Sequence, residues 1–270
     1  LGSRIDRSHP LSKRLVGFWL MNEKAGNKLY DLSGKNNTGT ITGATWKNAA
    51  SCHSGSCLSF DGGDYVDYGN PTSLQTLTSV TVSVWVNFKT SGNLRNLVWK
   101  GDEDGLQGFI LYKNYGENAL KFGVGTGSFT STPTLDVEPS LNTWYHVVGV
   151  YDGTNVSIYI NGQLKKFTAK TGTINQPSYN LVMGAASSHN YAYFDGLLDD
   201  VKIYNYALTP SQIKKLYTEP YCMFKRDWVW SEVAEGTTSP TASASNTPSN
   251  SPSATPSNTP SSSPSNTPSG

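Results

Sequence analysis

At 270 residues and a formal net charge of +1, the chain has no field to hold a polyanion. No Lys/Arg cluster interleaved with aromatics occurs, so nucleic acid is not an expected partner. No apolar run approaches the roughly 18 residues that a membrane-spanning helix needs, so no membrane insertion is expected. Residues 236–270 hold no charged, aromatic or large aliphatic side chain, which leaves about 235 residues for a fold rich in Gly, Tyr, Trp and Val. That mixture favours strands joined by tight turns.

In chain order, the first strand candidate is Leu15 to Leu20. The loop Asp31 to Gly39 follows, with a carboxylate, amides and free backbone carbonyls in close succession. Such a set suits calcium, which takes six to eight hard oxygen ligands from a flexible loop. Gly34 and Gly39 allow the curvature that turns carbonyls inward. The alternative is that Asp31 caps a turn through backbone hydrogen bonds. Next come Cys52 and Cys57, two of three cysteines, around a short Gly-containing loop. A local disulfide in an oxidising compartment and a pair of reduced thiols are both open readings.

Leu58 to Phe60 and Tyr65 to Tyr68 are short strand candidates. The long strand Val80 to Phe88 alternates, with Val80, Val82, Val84, Val86 and Phe88 on one face and Thr81, Ser83, Trp85 and Asn87 on the other, the pattern of a half-buried antiparallel strand. Leu94 to Trp99, Phe109 to Tyr112, Leu120 to Val124 and Trp144 to Val150 continue the series. Tyr151-Asp-Gly-Thr154 turns into Val156 to Ile160, and Asn161-Gly162 is a two-residue hairpin signal leading into Gln163 to Phe167. Leu181 to Gly184 and Leu197 to Tyr204 are the last strands. In the latter, Asp199 shares parity with Leu197, Val201 and Ile203 and is expected to face inward, where a carboxylate needs a partner or a metal.

Thr209-Pro210-Ser211-Gln212 is a capping box with Pro at the first helical position, predicting one helix from Pro210 to about Tyr217, stapled by Leu208 and Ile213. The expectation is an all-β, two-sheet antiparallel sandwich with one short C-terminal helix. Residues 236–270 follow as a disordered Ser/Thr/Pro linker, with prolines at 248, 252, 256, 260, 264 and 268. That composition cannot offset its ordering entropy. Linkers of this type tether modules outside cells, so an extracellular or a cell- or virion-surface location is expected.

Several segments together resemble a known family. They are Leu15-Val-Gly-Phe-Trp-Leu-Met-Asn-Glu23, Asp31-Leu-Ser-Gly-Lys-Asn-Asn-Thr-Gly-Thr40, Leu58-Ser-Phe-Asp-Gly-Gly-Asp-Tyr-Val66, Trp144-Tyr-His-Val-Val148, Val156-Ser-Ile-Tyr-Ile-Asn-Gly162 and Gly196-Leu-Leu-Asp-Asp-Val-Lys-Ile-Tyr-Asn-Tyr-Ala-Leu208. In that order they resemble laminin G-like, concanavalin A-type jelly-roll domains over residues 11 to 219, which implies a jelly roll within residues 1–235. The resemblance also implies a structural calcium ligated by Asp31 and Asn37, with Gly34 shaping the loop and Asp199 as the matched carboxylate near the end of the domain. Lys35 departs from the family's usual Asn and removes one oxygen ligand.

Enzymatic activity is not expected. The paired-carboxylate strand pattern Glu-x-Asp-x-x-Glu of the family's glycosidases is absent, as are His-Glu-x-x-His and Gly-x-Ser-x-Gly. Asp102-Glu-Asp104 reads as a solvated turn, and His146 as a packed surface residue. Sugar sites combine aromatic platforms with planar polar side chains on loops. The richest such stretch is Ser187 to Tyr193, with His189, Asn190, Tyr191 and Tyr193 as candidate ligand-binding residues. Tyr112 to Tyr115 is the second. Trp19, Trp85 and Trp144 read as packing residues, and Trp228 and Trp230 as folding back or starting an interface. A glycan or polysaccharide is the first expected partner. The alternative is a protein surface bound by a structural module of a cell-surface or virion assembly.

Overall fold

The computed structural model describes residues 4–91, 94–102, 104, 106–114, 119–133, 139–175 and 178–225. They belong to the unit Leu1–Asp227; Trp228, Trp230, the expected boundary at 235/236 and the linker lie outside the described residues. The strands are β1 (Leu15–Trp19), β2 (Lys28–Leu29), β3 (Gly39–Thr42), β4 (Thr45–Lys47), β5 (Cys57–Asp61), β6 (Tyr65–Asp67), β7 (Thr76–Leu77), β8 (Val80–Phe88) and β9 (Arg95–Gly101). They continue as β10 (Gln107–Lys113), β11 (Leu120–Thr126), β12 (Phe129–Ser131), β13 (Trp144–Tyr151), β14 (Asn155–Ile160), β15 (Gln163–Ala169), β16 (Ile174–Asn175), β17 (Leu181–Met183) and β18 (Asp195–Tyr204). Helix α1 spans Pro210–Thr218.

Two antiparallel sheets carry the fold. The first runs β15-β14-β13-β8-β18-β5-β4, with β1 also paired to β18; the second runs β12-β11-β10-β9-β17-β6-β3-β2. Their facing sides close on one core in which Val80, Val82, Val84, Val86 and Phe88 meet Phe109, Leu111, Phe122 and Val124. This is the two-sheet sandwich that the alternating pattern predicts, in the jelly-roll form that the resemblance implies. The Asn161-Gly162 hairpin forms between β14 and β15, with both residues at positive φ, 51° and 75°.

β8 departs from the half-buried expectation: all nine of its residues are buried. The reason is a third layer over the outer side of the first sheet. Ile213 and Leu216 of α1 cluster there with Phe18, Val148, Val150, Tyr204 and Met223. The capping box is present as predicted, Thr209 accepting from the Gln212 N–H and the Gln212 side chain accepting from the Thr209 N–H. Both ends of the described chain join this layer, because Ile5 forms a β-bridge with Phe224 and the Asp6 N–H donates to the Met223 carbonyl at 2.7 Å. The loop before β5 packs here as well. It is closed by a Cys52–Cys57 disulfide, while Cys222 is free.

Candidate functional site

The Asp31 to Gly39 loop is organised around the Asp31 carboxylate. Its Oδ1 accepts from the N–H groups of Phe18 (3.0 Å) and Ser33 (2.7 Å), and its Oδ2 from the Ser33 hydroxyl (2.7 Å) and the Asn37 N–H (3.0 Å). Asn37 is buried, its side-chain Nδ2 donating to the Val16 carbonyl at 2.6 Å while its backbone carbonyl accepts from Trp19 Nε1 at 2.8 Å. The carbonyls of Leu32 and Ser33 are taken by the Arg7 guanidinium, through Nη2 at 2.9 Å and through Nη1 respectively. Gly34 supports this with φ +85°; a Cβ there would lie 2.9 Å from Arg7 Nη2. The loop is therefore the capped turn.

Asp199 does not join it. Residues 199 to 202 of β18 oppose Trp85 to Ser83 of β8 with one residue to spare, a bulge in which Asp200 takes φ +50°. The bulge resets parity: Leu198, Val201 and Ile203 enter the core, and Asp199 turns to the outer side of the sheet. The inward expectation, drawn from shared parity with Leu197, Val201 and Ile203, is corrected here, because the extra residue breaks that parity between Asp199 and Val201. Asp199 Oδ2 accepts from the Ser54 N–H at 3.1 Å, Oδ1 has no partner, and burial followed by the adjacent Asp200 pushes its pKa up to about 9. Asp200 itself forms a buried ion pair with Lys202. Among the described residues no three His, Cys, Asp or Glu side chains are grouped to hold a metal. With the Asp31 oxygens and two loop carbonyls engaged and Asp199 elsewhere, these residues do not fit a calcium ion, and nothing below is routed through one.

His146 is likewise not a surface residue. It is 1% exposed, its Nε2 lies 2.8 Å from the Ser83 hydroxyl, and burial pulls its pKa down to about 3.

The four candidate loop residues divide. His189 stacks on Tyr65 with ring centroids 4.2 Å apart and places Nε2 3.3 Å from Asp67 Oδ2. Asn190 accepts from the Ser188 hydroxyl, and the Tyr193 hydroxyl donates to the His189 carbonyl, so both knit the loop to itself. Tyr191 faces a cleft, its ring edge-on to Trp99 at 6.1 Å.

That cleft, about 210 Å³, lies on the side of the second sheet turned away from the core. Trp99, Tyr112, Tyr191 and Phe129 wall it, and Asn96, Gln107 and Asp104 supply its polar groups. The strands dictate the arrangement. Trp99 pairs with Ile110, and Asn96 with Tyr112, so all four side chains share the outward face of β9 and β10. Phe129 lies over Gly123 of β11, where a Cβ would come within 2.5 Å of its ring. The loop is tied to this floor by the Asn96 N–H donating to the Ala192 carbonyl at 3.0 Å and by Arg95 donating to the Tyr193 carbonyl at 2.6 Å. Asn96 is wholly buried, and neither its amide nitrogen nor its amide oxygen has a hydrogen-bond partner. Of the second candidate stretch, Tyr112 lines the cleft, Lys113 is buried with its ammonium 5.8 Å from the Phe88 ring, and Tyr115 lies outside the described residues.

A laminin G-like family model, described as the concanavalin A-like lectin/glucanases superfamily, matches residues 60–214, more than half of the chain. The chain belongs to that superfamily. No curated protein matches it. Among solved structures, this concanavalin A-like domain is similar to domain 4 of AbnA, a GH43 extracellular arabinanase from Geobacillus stearothermophilus, solved in complex with arabinotriose. The identity is 20%, the TM-score 0.63, and the match covers 76% of this chain and 98% of that one. It is also similar to the binding domain of Paraclostridial mosquitocidal protein 1, at 18% identity and TM-score 0.60 over 77% of this chain and 52% of that one. The receptor binding domain of botulinum neurotoxin D matches at 16% identity and TM-score 0.60, over 77% and 53%. The concanavalin A-like domain thus spans about half the length of these two toxin domains.

Proposed function

We propose that this domain is a non-catalytic carbohydrate-binding module of an extracellular protein, and that its ligand occupies the cleft of Trp99, Tyr112, Tyr191 and Asn96. The single observation that carries the reading is the buried, unpartnered Asn96 amide beside this aromatic wall. An orphaned buried amide costs about 1–3 kcal/mol and calls for a partner, which a ligand in the adjoining cleft would supply. Aromatic faces beside a few placed polar groups are the usual make-up of a small-ligand site. Domain 4 of the arabinanase, with the same fold, is in complex with arabinotriose. Among the described lining residues Asp104 is one carboxylate, whereas a glycosidase mechanism needs two across the scissile bond. The Cys52–Cys57 disulfide fits an oxidising compartment.

The test is a glycan array probed with the full chain and with Trp99→Ala. Binding by the parent and a loss of tenfold or more in the variant is the expected result, because aromatic anchors carry most of the energy of a binding site. Equal binding by the two proteins removes the cleft. A protein-binding role is the second reading, favoured by Leu164 and Phe167, 48% and 60% exposed on the edge strand β15. A specific protein partner without glycan affinity would establish it.

A further inference from the structure

We infer that the ligand of this cleft is an uncharged polysaccharide, read through a hydroxyl pair by Asn96, and not a uronate or sulfated glycan. The inference rests on the glycan-binding reading and adds the chemical class.

What Asn96 lacks decides the class. Its side chain offers two donors on nitrogen and one acceptor oxygen, and both ends are without partners inside the fold. A hydroxyl group donates and accepts, so two neighbouring hydroxyls satisfy the amide at both ends. A carboxylate or sulfate oxygen only accepts. Set against Asn96 it would serve the amide nitrogen and leave the amide oxygen orphaned; turned away, with the sugar's remaining hydroxyls on Asn96, it would need a cation in the cleft wall.

The wall agrees. Among the described lining residues the one charged side chain is Asp104, and neither Lys nor Arg is present. The neighbours of Asp104 in the chain include Asp102 and Glu103, both acidic. Recognition of an anionic sugar calls for Arg or Lys aimed at the anion, ideally as a fork. The cations nearby are otherwise placed. The Arg95 guanidinium donates to the Tyr193 carbonyl and the Thr90 hydroxyl. Lys113 is wholly buried against Phe88. Lys121, opposite Tyr112 in the β10–β11 register, lies outside the cleft lining and has interactions of its own. What remains is apolar ring surface for the C–H faces of a sugar and an amide for its hydroxyls.

Affinity electrophoresis of the full chain tests this, with arabinan, xylan, galactomannan and a mixed-linkage glucan as neutral polymers and polygalacturonate, alginate and heparin as anionic ones. Retardation by at least one neutral polymer and by none of the anionic set is expected. The neutral affinity should change less than about twofold between low and high salt, because no ion pair is there to be screened. Asn96→Ala should weaken binding roughly 10- to 100-fold, the loss of one or two hydrogen bonds, while its melting temperature stays level or rises because the orphaned amide is gone. Retardation by an anionic polymer, relieved by salt and by Trp99→Ala, would overturn the neutral class and leave the glycan-binding reading standing. A folded chain retarded by no polymer would overturn that reading itself. The parent's salt dependence needs no variant, so the inference stays testable even if Asn96→Ala does not fold.

Discussion

The His53 imidazole lies flat on the Trp85 indole, ring centroids 3.5 Å apart and planes 20° from parallel. Tyr217 of α1 covers the same indole at 5.8 Å. The disulfide loop and the helix are thereby pinned to the outer side of β8, which is why a strand patterned as half-exposed ends up wholly buried. Joint replacement of Cys52 and Cys57 by Ser should release His53 from this stack. With a short closed loop the cost is about 2 kcal/mol, a fall of roughly 4–8 °C in melting temperature for a domain of this size. A scanning calorimetry comparison with the parent measures it.

Stability should pass through a maximum in mildly acidic solution. His146, held down to about 3, stays neutral in the fold while its unfolded counterpart, at 6.5, takes up a proton, so its contribution is lost as pH falls from 6.5 towards 3. Asp199 acts with the opposite sign. Raised to about 9, it keeps its proton in the fold while the unfolded carboxyl ionises above 3.8, so stability is lost as pH rises between those values. The two slopes oppose each other between 3.8 and 6.5. His53, also lowered by burial, tips that window towards rising stability with pH. Between 6.5 and about 8 Asp199 sets the slope, up to about 1.4 kcal/mol per pH unit, and above that Lys100, lowered by burial to about 8, acts against it. Urea melts across pH 4 to 9 should show the maximum near about pH 6, and Asp199→Asn should flatten the alkaline limb. An alkaline limb unchanged in that variant would refute the assignment.

Chelation should leave the fold untouched. The Leu32 and Ser33 carbonyls are held by Arg7, and Asp31 is saturated with N–H and O–H donors. Excess EDTA is expected to shift the melting temperature by less than about 1 °C, whereas Arg7→Ala should lower it by roughly 2–8 °C, the equivalent of about 1–2 kcal/mol for charge-assisted bonds at a partly exposed site. A drop with EDTA in the parent chain would restore the metal.

Gly123→Ala offers a separation of binding from stability. The new methyl meets the Phe129 ring, 42% exposed and free to swing into solvent, so the fold should lose about 1 kcal/mol or less. Glycan affinity should fall at least threefold as the cleft loses one aromatic wall, read by titration calorimetry beside a thermal melt. Unchanged affinity would show that Phe129 does not contact the ligand.

The sandwich was legible because period-two alternation and hairpin chemistry act over a few neighbouring residues. Val80 to Phe88, the Asn161-Gly162 turn and the Thr209 to Gln212 cap all appear where the local signals put them. Two-residue strands such as β2, β7 and β16 carry too few positions to show any period. The site was harder for one physical reason. A bulge at Leu97, between the Val98–Leu111 and Asn96–Tyr112 pairs, puts both Leu97 and Val98 in the core and turns Asn96 and Trp99 outward together. The bulge between Asp199 and Lys202 misdirects parity in the same way. Register shifts of this kind are set by the partner strand, not by the strand's own sequence. Tyr191, which lines the cleft, stands on a loop whose composition is readable without register.

The bridge between Ile5 and Phe224 closes the domain into a ring whose entry and exit are side by side. A module with adjoining ends behaves as a cassette: it can be spliced into a surface loop of an unrelated host without prising the host's chain apart. Those ends sit in the layer over the first sheet, while the cleft opens from the far side of the second. A host attached at that seam would leave the cleft pointing outward.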